Sequence, residues 1–447
     1  MKVTVKKFKS GERYPFLLGD DGVPDFWVTH FVTQKLRMTR AATSIEQYLK
    51  DIKHLKRWEE INKRDLLDEI YNGKVPNRDD IKAIKDHCSY QAKVLKEKPA
   101  SNVVDMGQFH LSKAQDKPTI GKSQYISRIA HIADFLHFIG KERVKHKPTA
   151  PELFDALNKM EKRLKSKMPK ARLKKVSLDK SGISDDAFED FVRVAKPDSK
   201  YNPFKNPVIK FRNHLIVQIL YETGFRCSEL LALRISDIGT DINDPTLSVL
   251  RRHDSKDDPR PKEPTAKTLS RSVSISKGLR DLLNTYIKYH RAQTKVAKKH
   301  PFIFVSHKDK QGHYQSGQPL IQQTINDLFN RIKKVNPERF WGITPHSYRH
   351  YFNDQLSNQI DEERKLVKLK VNQLEQAGRH QEAKQYANEN TISEKRELEI
   401  RAQLNGHSSL NSGFIYLKRT ARKQADEIRQ KIQAKLKHQI KGVSDGS

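Results

Sequence analysis

The stretch TGFRCSELLAL, Thr223–Leu233, joins two apolar helical segments through a very short turn. Gly224 predicts the end of the first helix and Ser228 a cap for the second, because glycine adopts left-handed φ values and serine hydroxyls accept hydrogen bonds from helix-start amides. Arg226 then lies on a tight turn packed on both sides, with Glu229 placed to brace its guanidinium. An isolated arginine here equally fits a surface turn, so the meaning of Arg226 depends on the polar stretches that follow.

A β-hairpin with a long basic loop is predicted next. Its strands are marked by alternating apolar residues, which are Leu247 and Val249 in the first strand and Val273 and Ile275 in the second. Such alternation is typical of half-buried strands. Lys267 lies just before the returning strand, and Lys256 and Lys262 are rival lysines in the same loop. A hairpin lysine is usually solvated, so Lys267 gains meaning only beside the other stretches.

The stretch TPHSYRHYF, Thr344–Phe352, predicts a helix with a polar start. Thr344 suits the N-cap and Pro345 the first helical position. Helical spacing places four polar residues on one face: His346, Arg349, His350 and Asn353. Imidazole and guanidinium groups near a helix N-terminus form a phosphate-binding site. A solvated face explains this stripe less well, because the helix is short and otherwise apolar.

The stretch LNGHSSLNSGFIYLKR, Leu404–Arg419, completes the series. Gly406 is predicted to end a helix, with His407 directly after it and Tyr416 shortly downstream. Taken alone, Tyr416 fits an ordinary core tyrosine whose hydroxyl is satisfied. The pairing of His407 with Tyr416 becomes informative when the three earlier stretches are considered with it.

The composition indicates a polyanionic partner. The chain has 447 residues, with 86 Lys and Arg against 54 Asp and Glu, and a formal net charge of +32. This charge exceeds what solubility requires, and nucleic acid is the commonest polyanionic partner. No apolar run approaches the roughly 20 residues of a membrane span, and no signal-peptide core follows Met1. Two cysteines, Cys88 and Cys227, argue against a disulfide framework and a cysteine-rich zinc site.

The pattern along the chain predicts two basic globular parts joined by a basic strap. Residues 1–24 predict a β-hairpin-like segment, and residues 25–165 predict a helical domain with basic faces. Residues 166–182 predict a basic linker, and residues 183–419 a mixed α/β domain. Residues 420–447 predict an amphipathic tail. The predicted fold class is mainly α with a small β-sheet.

In chain order these stretches supply Arg, Lys, His-x-x-Arg, Gly-His and Tyr. This arrangement resembles the tyrosine recombinase (phage integrase) family of site-specific DNA recombinases. The resemblance covers about residues 184–419, and the helical region before it is similar to the family's core-binding domain in style and position. It implies a helical core-binding domain followed by a catalytic domain, in which Tyr416 attacks a DNA phosphate to form a 3′-phosphotyrosyl bond and free a 5′-hydroxyl. Because the covalent bond conserves energy, rejoining needs no ATP.

The resemblance implies that two arginines stabilise the transition state. Arg226 and Arg349 would each donate forked hydrogen bonds to the non-bridging phosphate oxygens, with Glu229 orienting Arg226. A positive site of this kind can replace a metal ion. We therefore expect neither a metal nor another cofactor.

The resemblance also implies the proton transfers. A tyrosine hydroxyl has an ordinary pKa of about 10, so a base must take its proton. His346 would accept the proton of Tyr416, and Lys267 would protonate the departing 5′-oxygen. His407 would hydrogen-bond the phosphate or assist proton transfer.

The number of residues between two of the matched stretches departs from the family pattern. The separation between Arg349 and His407 is longer than the family pattern implies, and the excess is about residues 360–392. A helical stripe of apolar residues there, Val367, Val371 and Leu374, predicts a helical insertion. Contact with DNA, a neighbouring subunit or another protein fits this insertion about as well as a plain solvent-facing excursion.

The implied function is site-specific cutting and rejoining of double-stranded DNA, as the integrase of a mobile element. A homo-tetramer on two DNA sites would act through a Holliday junction, with accessory or sibling recombinases as further partners and no membrane. A type IB topoisomerase or telomere resolvase would share the tyrosine chemistry, and a non-catalytic accessory subunit would share the scaffold. The expected location is the cytoplasm of a bacterial-type cell, in association with the nucleoid.

Overall fold

The computed structural model describes the following ranges: residues 1–91, 119–166, 183–309, 315–407 and 409–413. The chain forms two compact units, residues 1–178 and 179–447, called here the N-terminal and C-terminal units. Apart from Ser166, the predicted basic linker lies outside the described residues, as do the predicted tail and Tyr416. Within the described ranges, no helix is both long and apolar enough to cross a membrane.

The N-terminal unit begins with an antiparallel β-hairpin. Strand β1 (Lys2–Lys7) pairs with strand β2 (Arg13–Leu18), whose Tyr14 and Leu17 are buried. These two side chains belong to the same hydrophobic core as the helices that follow. The hairpin therefore packs on the helices and shares their core, while the domain bounds predicted from the sequence stay a prediction.

Helices form the rest of the N-terminal unit: α1 (Phe26–Phe31), α2 (Ala42–Asn62), α3 (Leu66–Tyr71), α4 (Arg78–Ser89), α5 (Lys122–Val144) and α6 (Ala150–Lys165). Their apolar residues recur at helical spacing, so one face of each long helix turns inward. On α2 this face includes Ile45, Leu49 and Ile52, all fully buried, and α2 packs against α5. The helical periodicity predicted from the sequence is confirmed in these elements.

The C-terminal unit contains these α-helices and β-strands: α7 (Asp185–Ala195), α8 (Pro207–Thr223), α9 (Cys227–Ala232), β3 (Thr246–Val249), β4 (Arg271–Ser274), α10 (Lys277–Thr285), α11 (Gln322–Lys333), α12 (Pro337–Phe340), α13 (Pro345–Gln376), α14 (His380–Asn390) and α15 (Glu394–Asn405). Helix α8 is apolar around most of its circumference, which is typical of a buried helix. It contacts α7, α9, α10 and α13, so it forms the centre of this unit's core. The fold class is mainly α with small two-stranded sheets, as predicted.

The predicted hairpin is confirmed: β3 and β4 are antiparallel, with Leu247 opposite Val273 and both side chains buried. Its long loop is anchored by a buried ion pair between Asp258 and Arg260, 2.8 Å apart. Arg260 Nη1 also donates to the carbonyl oxygens of Leu231 (3.1 Å) and Leu320 (2.8 Å). These contacts fix the loop to the helical body, so the return strand enters at a defined place.

The predicted insertion is helical. Helix α13 continues unbroken to Gln376, turns at Gly378 with φ +76°, and is followed by α14, which packs back along it. Leu374 and Ala383 are buried between these helices. The outer part of α13 therefore packs mainly on its partner helix, whereas its first turns pack in the core.

Candidate active site

The turn that carries Arg226 requires glycine at one position. Gly224 has φ +60° and its N–H donates to the Leu220 carbonyl, so it ends α8 as predicted. A Cβ at this position would lie 2.8 Å from Cβ of Phe352 on α13, which leaves no room for a side chain. The turn is therefore clamped between α8 and α13.

The predicted cap at Ser228 is wrong. Helix α9 begins at Cys227, so Arg226 is its N-cap residue. The Arg226 N–H donates to Oε2 of Glu229 at 3.0 Å, and Arg226 Nη1 donates to Oε1 at 3.3 Å. A carboxylate in the first helical turn is stabilised by the positive end of the helix dipole. Here the Glu229 carboxylate also holds both the backbone and the side chain of Arg226.

Glu229 is the centre of the site. Its fully buried carboxylate accepts hydrogen bonds from Arg271 Nη2 (2.9 Å) and Thr268 Oγ1 (2.7 Å), in addition to Arg226. Arg349 Nη1 lies 4.0 Å from Oε2. Burial opposes ionisation, but the hydrogen bond and charge of Arg271 outweigh it, so the pKa of Glu229 lies below its usual value. One carboxylate therefore organises three guanidinium groups.

Arg271 is a site residue that sequence reasoning missed as a functional position. Its Nε donates to the Leu404 carbonyl at 2.8 Å, which ties β4 to the end of α15. The signal was present in the sequence, because strand alternation places Arg271 on the same inward face as the buried Val273. An arginine at an inward strand position needs a buried partner, and Glu229 supplies it.

Arg349 is held by two helix ends. Its Nη1 donates to the Gly224 carbonyl at 3.1 Å and its Nη2 to the Asn405 carbonyl at 2.8 Å. Nη2 also lies 3.4 Å from Nε2 of His407. The polar stripe predicted on this helix therefore faces inward at Arg349 and Asn353, which are both buried.

His407 joins the cluster through the turn at Gly406. Gly406 has φ +64° and ends α15, as predicted, and the His407 N–H donates to the Ala402 carbonyl at 2.9 Å. The Leu269 N–H donates to the Gly406 carbonyl at 2.9 Å, so the hairpin loop also fixes this turn. Burial, together with the positive charge of Arg349 and of the other arginines, lowers the pKa of His407 to about 4. The imidazole is therefore neutral at neutral pH.

His346 occupies a different setting. It lies exposed in the first turn of α13, which begins as predicted at Pro345 with Thr344 as N-cap, since Thr344 Oγ1 accepts from the Ser347 N–H at 3.1 Å. The His346 and His350 rings meet edge to face with centroids 4.7 Å apart. His346 is thus one helical turn before Arg349, at the surface.

Lys267 is exposed between the buried residues Ala266 and Thr268. Its backbone is held beside the cluster, because Thr268 bonds to Glu229 and the next residue, Leu269, bonds to Gly406. The rival lysines, Lys256 and Lys262, are also exposed, and they lie near the anchored loop segment at Asp258.

The cluster is built to bind an anion. Three guanidinium groups surround one carboxylate and a neutral imidazole, so the site carries a net positive charge. Among the three arginines, Arg226 has the most exposed side chain, at 30% against 5% for Arg271 and 1% for Arg349. Guanidinium groups match phosphate oxygens in forked geometry. Among the described residues, no group of three or more His, Cys, Asp or Glu side chains is placed to hold a metal ion.

Comparison with known proteins shows what this region is similar to. Residues 200–369 match the model of the phage integrase family. The chain is 32% identical over 146 residues to Transposase A from transposon Tn554 of Staphylococcus aureus, which covers 32% of this chain and 36% of the relative. It is 27% identical over 152 residues to tyrosine recombinase XerC of Staphylococcus epidermidis, covering 33% and 41%. The chain thus spans well under half the length of these curated relatives.

Two solved structures were also matched. The XerH site-specific recombinase bound to palindromic difH substrate has a TM-score of 0.39 at 15% identity, covering 90% of this chain and 94% of that chain. The XerA recombinase has a TM-score of 0.33 at 16% identity, covering 91% and 99%. The family resemblance seen in the sequence is confirmed by the family model over residues 200–369.

Proposed function

We propose that this chain, whose residues 200–369 match the model of the phage integrase family, cuts and rejoins double-stranded DNA at specific sites through a 3′-phosphotyrosyl intermediate. The observation that carries the proposal is the convergence of Arg226, Arg271 and Arg349 on the buried carboxylate of Glu229, beside a neutral His407. Such an arrangement is suited to a phosphodiester in its transition state, where the non-bridging oxygens gain negative charge.

The arginines act through pre-organisation. Arg349 is fixed by two carbonyl oxygens and Arg226 by Glu229, so neither side chain has to be ordered when a phosphate arrives. Donors that are already oriented stabilise developing charge without reorganisation at the moment of reaction. Phosphodiester cleavage is very slow unaided, and enzymes lower such barriers by amounts at the upper end of roughly 8–23 kcal/mol.

The proposed reaction balances as a transesterification. The Tyr416 oxygen attacks phosphorus as His346 accepts the tyrosine proton, a new bond forms between phosphorus and the tyrosine oxygen, and the bond to the 5′-oxygen breaks. Lys267 gives its proton to that leaving oxygen. His407, neutral and beside Arg349, hydrogen-bonds the phosphate. Rejoining runs the same steps backwards with a 5′-hydroxyl as the nucleophile, so no ATP is consumed.

The matched relatives and the charge of the chain support a proposal for its biological setting. Matched relatives include a transposon transposase and a tyrosine recombinase, and the net charge of +32 suits a DNA partner. We propose a recombinase of a mobile element that acts as a homo-tetramer on two DNA sites and passes through a Holliday junction. Accessory or sibling recombinases are further candidate partners.

Trapping of covalent complexes tests the proposal. Wild type, Tyr416→Phe and a control variant, Tyr289→Phe, are expressed in cells that carry the DNA flanking the gene. Tyr289 is an exposed tyrosine, so its loss leaves the fold intact. Cells are lysed under denaturing conditions, and DNA that stays attached to the protein is sequenced.

We expect wild type and Tyr289→Phe to retain DNA with sharp, shared ends and Tyr416→Phe to retain none. Ends scattered without a preferred site would indicate a topoisomerase instead. Retention by Tyr416→Phe at the wild-type level would show that Tyr416 is not the nucleophile. Retention by no protein at all would favour a non-catalytic DNA-binding role.

A further inference from the structure

A buried polar network lies between α13 and α15, the two helices that carry Arg349 and precede His407. Its centre is Arg401, whose side chain is fully buried. The guanidinium Nη2 donates to Glu397 Oε1 at 2.7 Å and to Ser357 Oγ at 2.6 Å, and Nη1 donates to the Asn353 carbonyl at 3.1 Å. Arg401 therefore bonds across the helix interface to two successive turns of α13.

A pair of asparagines extends the network toward the site. Asn405 Nδ2 donates to Asn353 Oδ1 at 2.8 Å, and Asn353 Nδ2 donates to Asn405 Oδ1 at 3.1 Å. Asn353 Nδ2 also donates to the Arg349 carbonyl at 2.8 Å. Both amides are buried, so water cannot substitute for these bonds.

The network ends on two candidate catalytic residues, Arg349 and His407. The Asn405 carbonyl accepts from Arg349 Nη2, and Asn405 is followed directly by Gly406 and His407. A shift of α15 along α13 would move the Asn405 carbonyl away from Arg349 and carry the His407 imidazole with it. The spacing of 3.4 Å between Arg349 Nη2 and His407 Nε2 therefore depends on the register of the two helices.

Stability alone does not account for this network. A buried ion pair such as Arg401 with Glu397 loses hydration on both groups, and well-packed apolar residues in its place are often equally stable. Fully paired polar networks do, however, specify one register, because any slip leaves a buried donor or acceptor without a partner. Apolar surfaces impose no such penalty for a small slide.

We propose that Arg401 is a positioning residue, which sets the register of α15 against α13 and so holds Arg349 and His407 in their reactive spacing. The inference rests on the proposed function, because it concerns the phosphate-binding pair of that reaction. Arg401 contacts neither reacting atoms nor DNA in this role, and it acts through Asn353 and Asn405.

Three variants separate positioning from folding. Arg401→Met removes the bonds that Arg401 makes to α13. Glu397 keeps a partner on α13, because Arg364 Nη2 lies 2.9 Å from its Oε2. Arg401→Lys keeps the charge. Arg396→Met is the matched control, since Arg396 lies on the same helix with an exposed side chain paired to Glu399.

Two readouts are measured for each variant. The first is the rate of covalent-complex formation on a nicked duplex oligonucleotide carrying the junction recovered by trapping, alongside the Kd for that duplex. The second is the pKa of His407 in the free protein, followed by NMR of the imidazole. Thermal unfolding shows whether each variant is folded.

For Arg401→Met we expect the cleavage rate to fall by about tenfold to a hundredfold, as small misplacements of catalytic groups do, while Kd stays within about twofold. The pKa of His407 should rise from about 4 toward its ordinary value as the imidazole leaves its buried position beside Arg349. Arg401→Lys should recover part of both effects, and Arg396→Met should match wild type.

The proposal is overturned if Arg401→Met cleaves at the wild-type rate with an unchanged His407 pKa. It is also overturned if the variant loses binding and cleavage in equal measure. If Arg401→Met does not fold, Arg401→Lys is judged by the same two readouts. Should wild type itself form no covalent complex, the proposed function fails, whereas the pKa comparison in the free protein still decides the positioning role.

Discussion

At the residue scale, the site depends on a competition between burial and charge at Glu229. Burial alone would favour the neutral acid, but the hydrogen bond and charge of Arg271, with hydrogen bonds from Thr268 and the Arg226 N–H, keep the group ionised. The same arrangement keeps the arginines in place without a bound phosphate. Removing the negative charge therefore affects both folding and the oriented donors.

Glu229→Gln should destabilise the protein by about 3 kcal/mol, because buried guanidinium groups lose their counter-charge. Urea unfolding measures the change, and covalent trapping should show a lower cleavage rate as well. Glu222→Gln is the control, since Glu222 accepts from Ser276 and bonds to no guanidinium in the described structure. Equal stability of the two variants would show that Glu229 does not organise the cluster.

His407 leads to a prediction about pH. Its pKa is about 4 in the folded protein, below the ordinary value of about 6.5 expected after unfolding. For a lowered pKa, the stabilising contribution is complete above the unfolded value and is lost as the pH falls through the folded value. The folded protein should therefore lose stability between about pH 6.5 and pH 4.

Comparing wild type with His407→Gln separates the contribution of His407 to the pH dependence of stability from that of the other titrating histidines. Unfolding free energies are measured in urea at pH 7 and pH 5. Wild type should lose more stability than His407→Gln over this interval. Parallel losses in the two proteins would mean that His407 titrates normally and is not held in a buried position beside Arg349.

At the element scale, the β3–β4 hairpin and the end of α15 are locked at Gly406. The Gly406 carbonyl accepts from Leu269, and a Cβ on Gly406 would lie 2.9 Å from the Leu269 carbonyl oxygen and from Thr268 Cβ. Thr268 in turn bonds to Glu229. A side chain at this turn would therefore push the hairpin off the site.

Gly406→Ala should lower stability by about 1–3 kcal/mol through its left-handed backbone, and the displaced hairpin should reduce cleavage strongly. Gly378→Ala is a matched control, because Gly378 has φ +76° but no atom within 4 Å of its added Cβ. Both variants place an alanine at a positive φ, and thermal unfolding measures the loss of stability that this backbone strain causes. If both cleave DNA equally well, contact between the hairpin and Gly406 does not support the site.

At the scale of the whole molecule, each unit has its own hydrophobic core, and the chain as a whole is strongly basic. The net charge of +32 exceeds what the phosphate site alone would need. Binding of DNA by many lysines and arginines releases counterions from the phosphates. Affinity should therefore depend steeply on salt.

Raising the salt from 50 to 200 mM should weaken DNA binding by about 10³- to 10⁵-fold, as expected for six to ten phosphate contacts. Fluorescence anisotropy with a labelled duplex measures this dependence. A nearly flat dependence would show that the excess charge is not used to bind DNA.

The sequence by itself determined the elements and most of the candidate site. Glycine at Gly224 and Gly406 marked the helix ends, Thr344 marked the start of α13, and alternation marked the hairpin. These features depend on backbone conformation within a few residues, so local chemistry decides them. The roles assigned to Tyr416, His346 and Lys267 stay predictions, and covalent trapping tests that of Tyr416.

Only the tertiary structure decided which groups pair. The partner of Glu229 is Arg271, on a strand that returns after a long loop, and the partner of Asn353 is Asn405, beyond the helical insertion. Arg226 and not Ser228 is the N-cap residue of α9, because the Glu229 carboxylate accepts from the Arg226 N–H. Contacts of this kind depend on how distant elements pack and which buried polar groups need partners, and no periodicity along the chain records that.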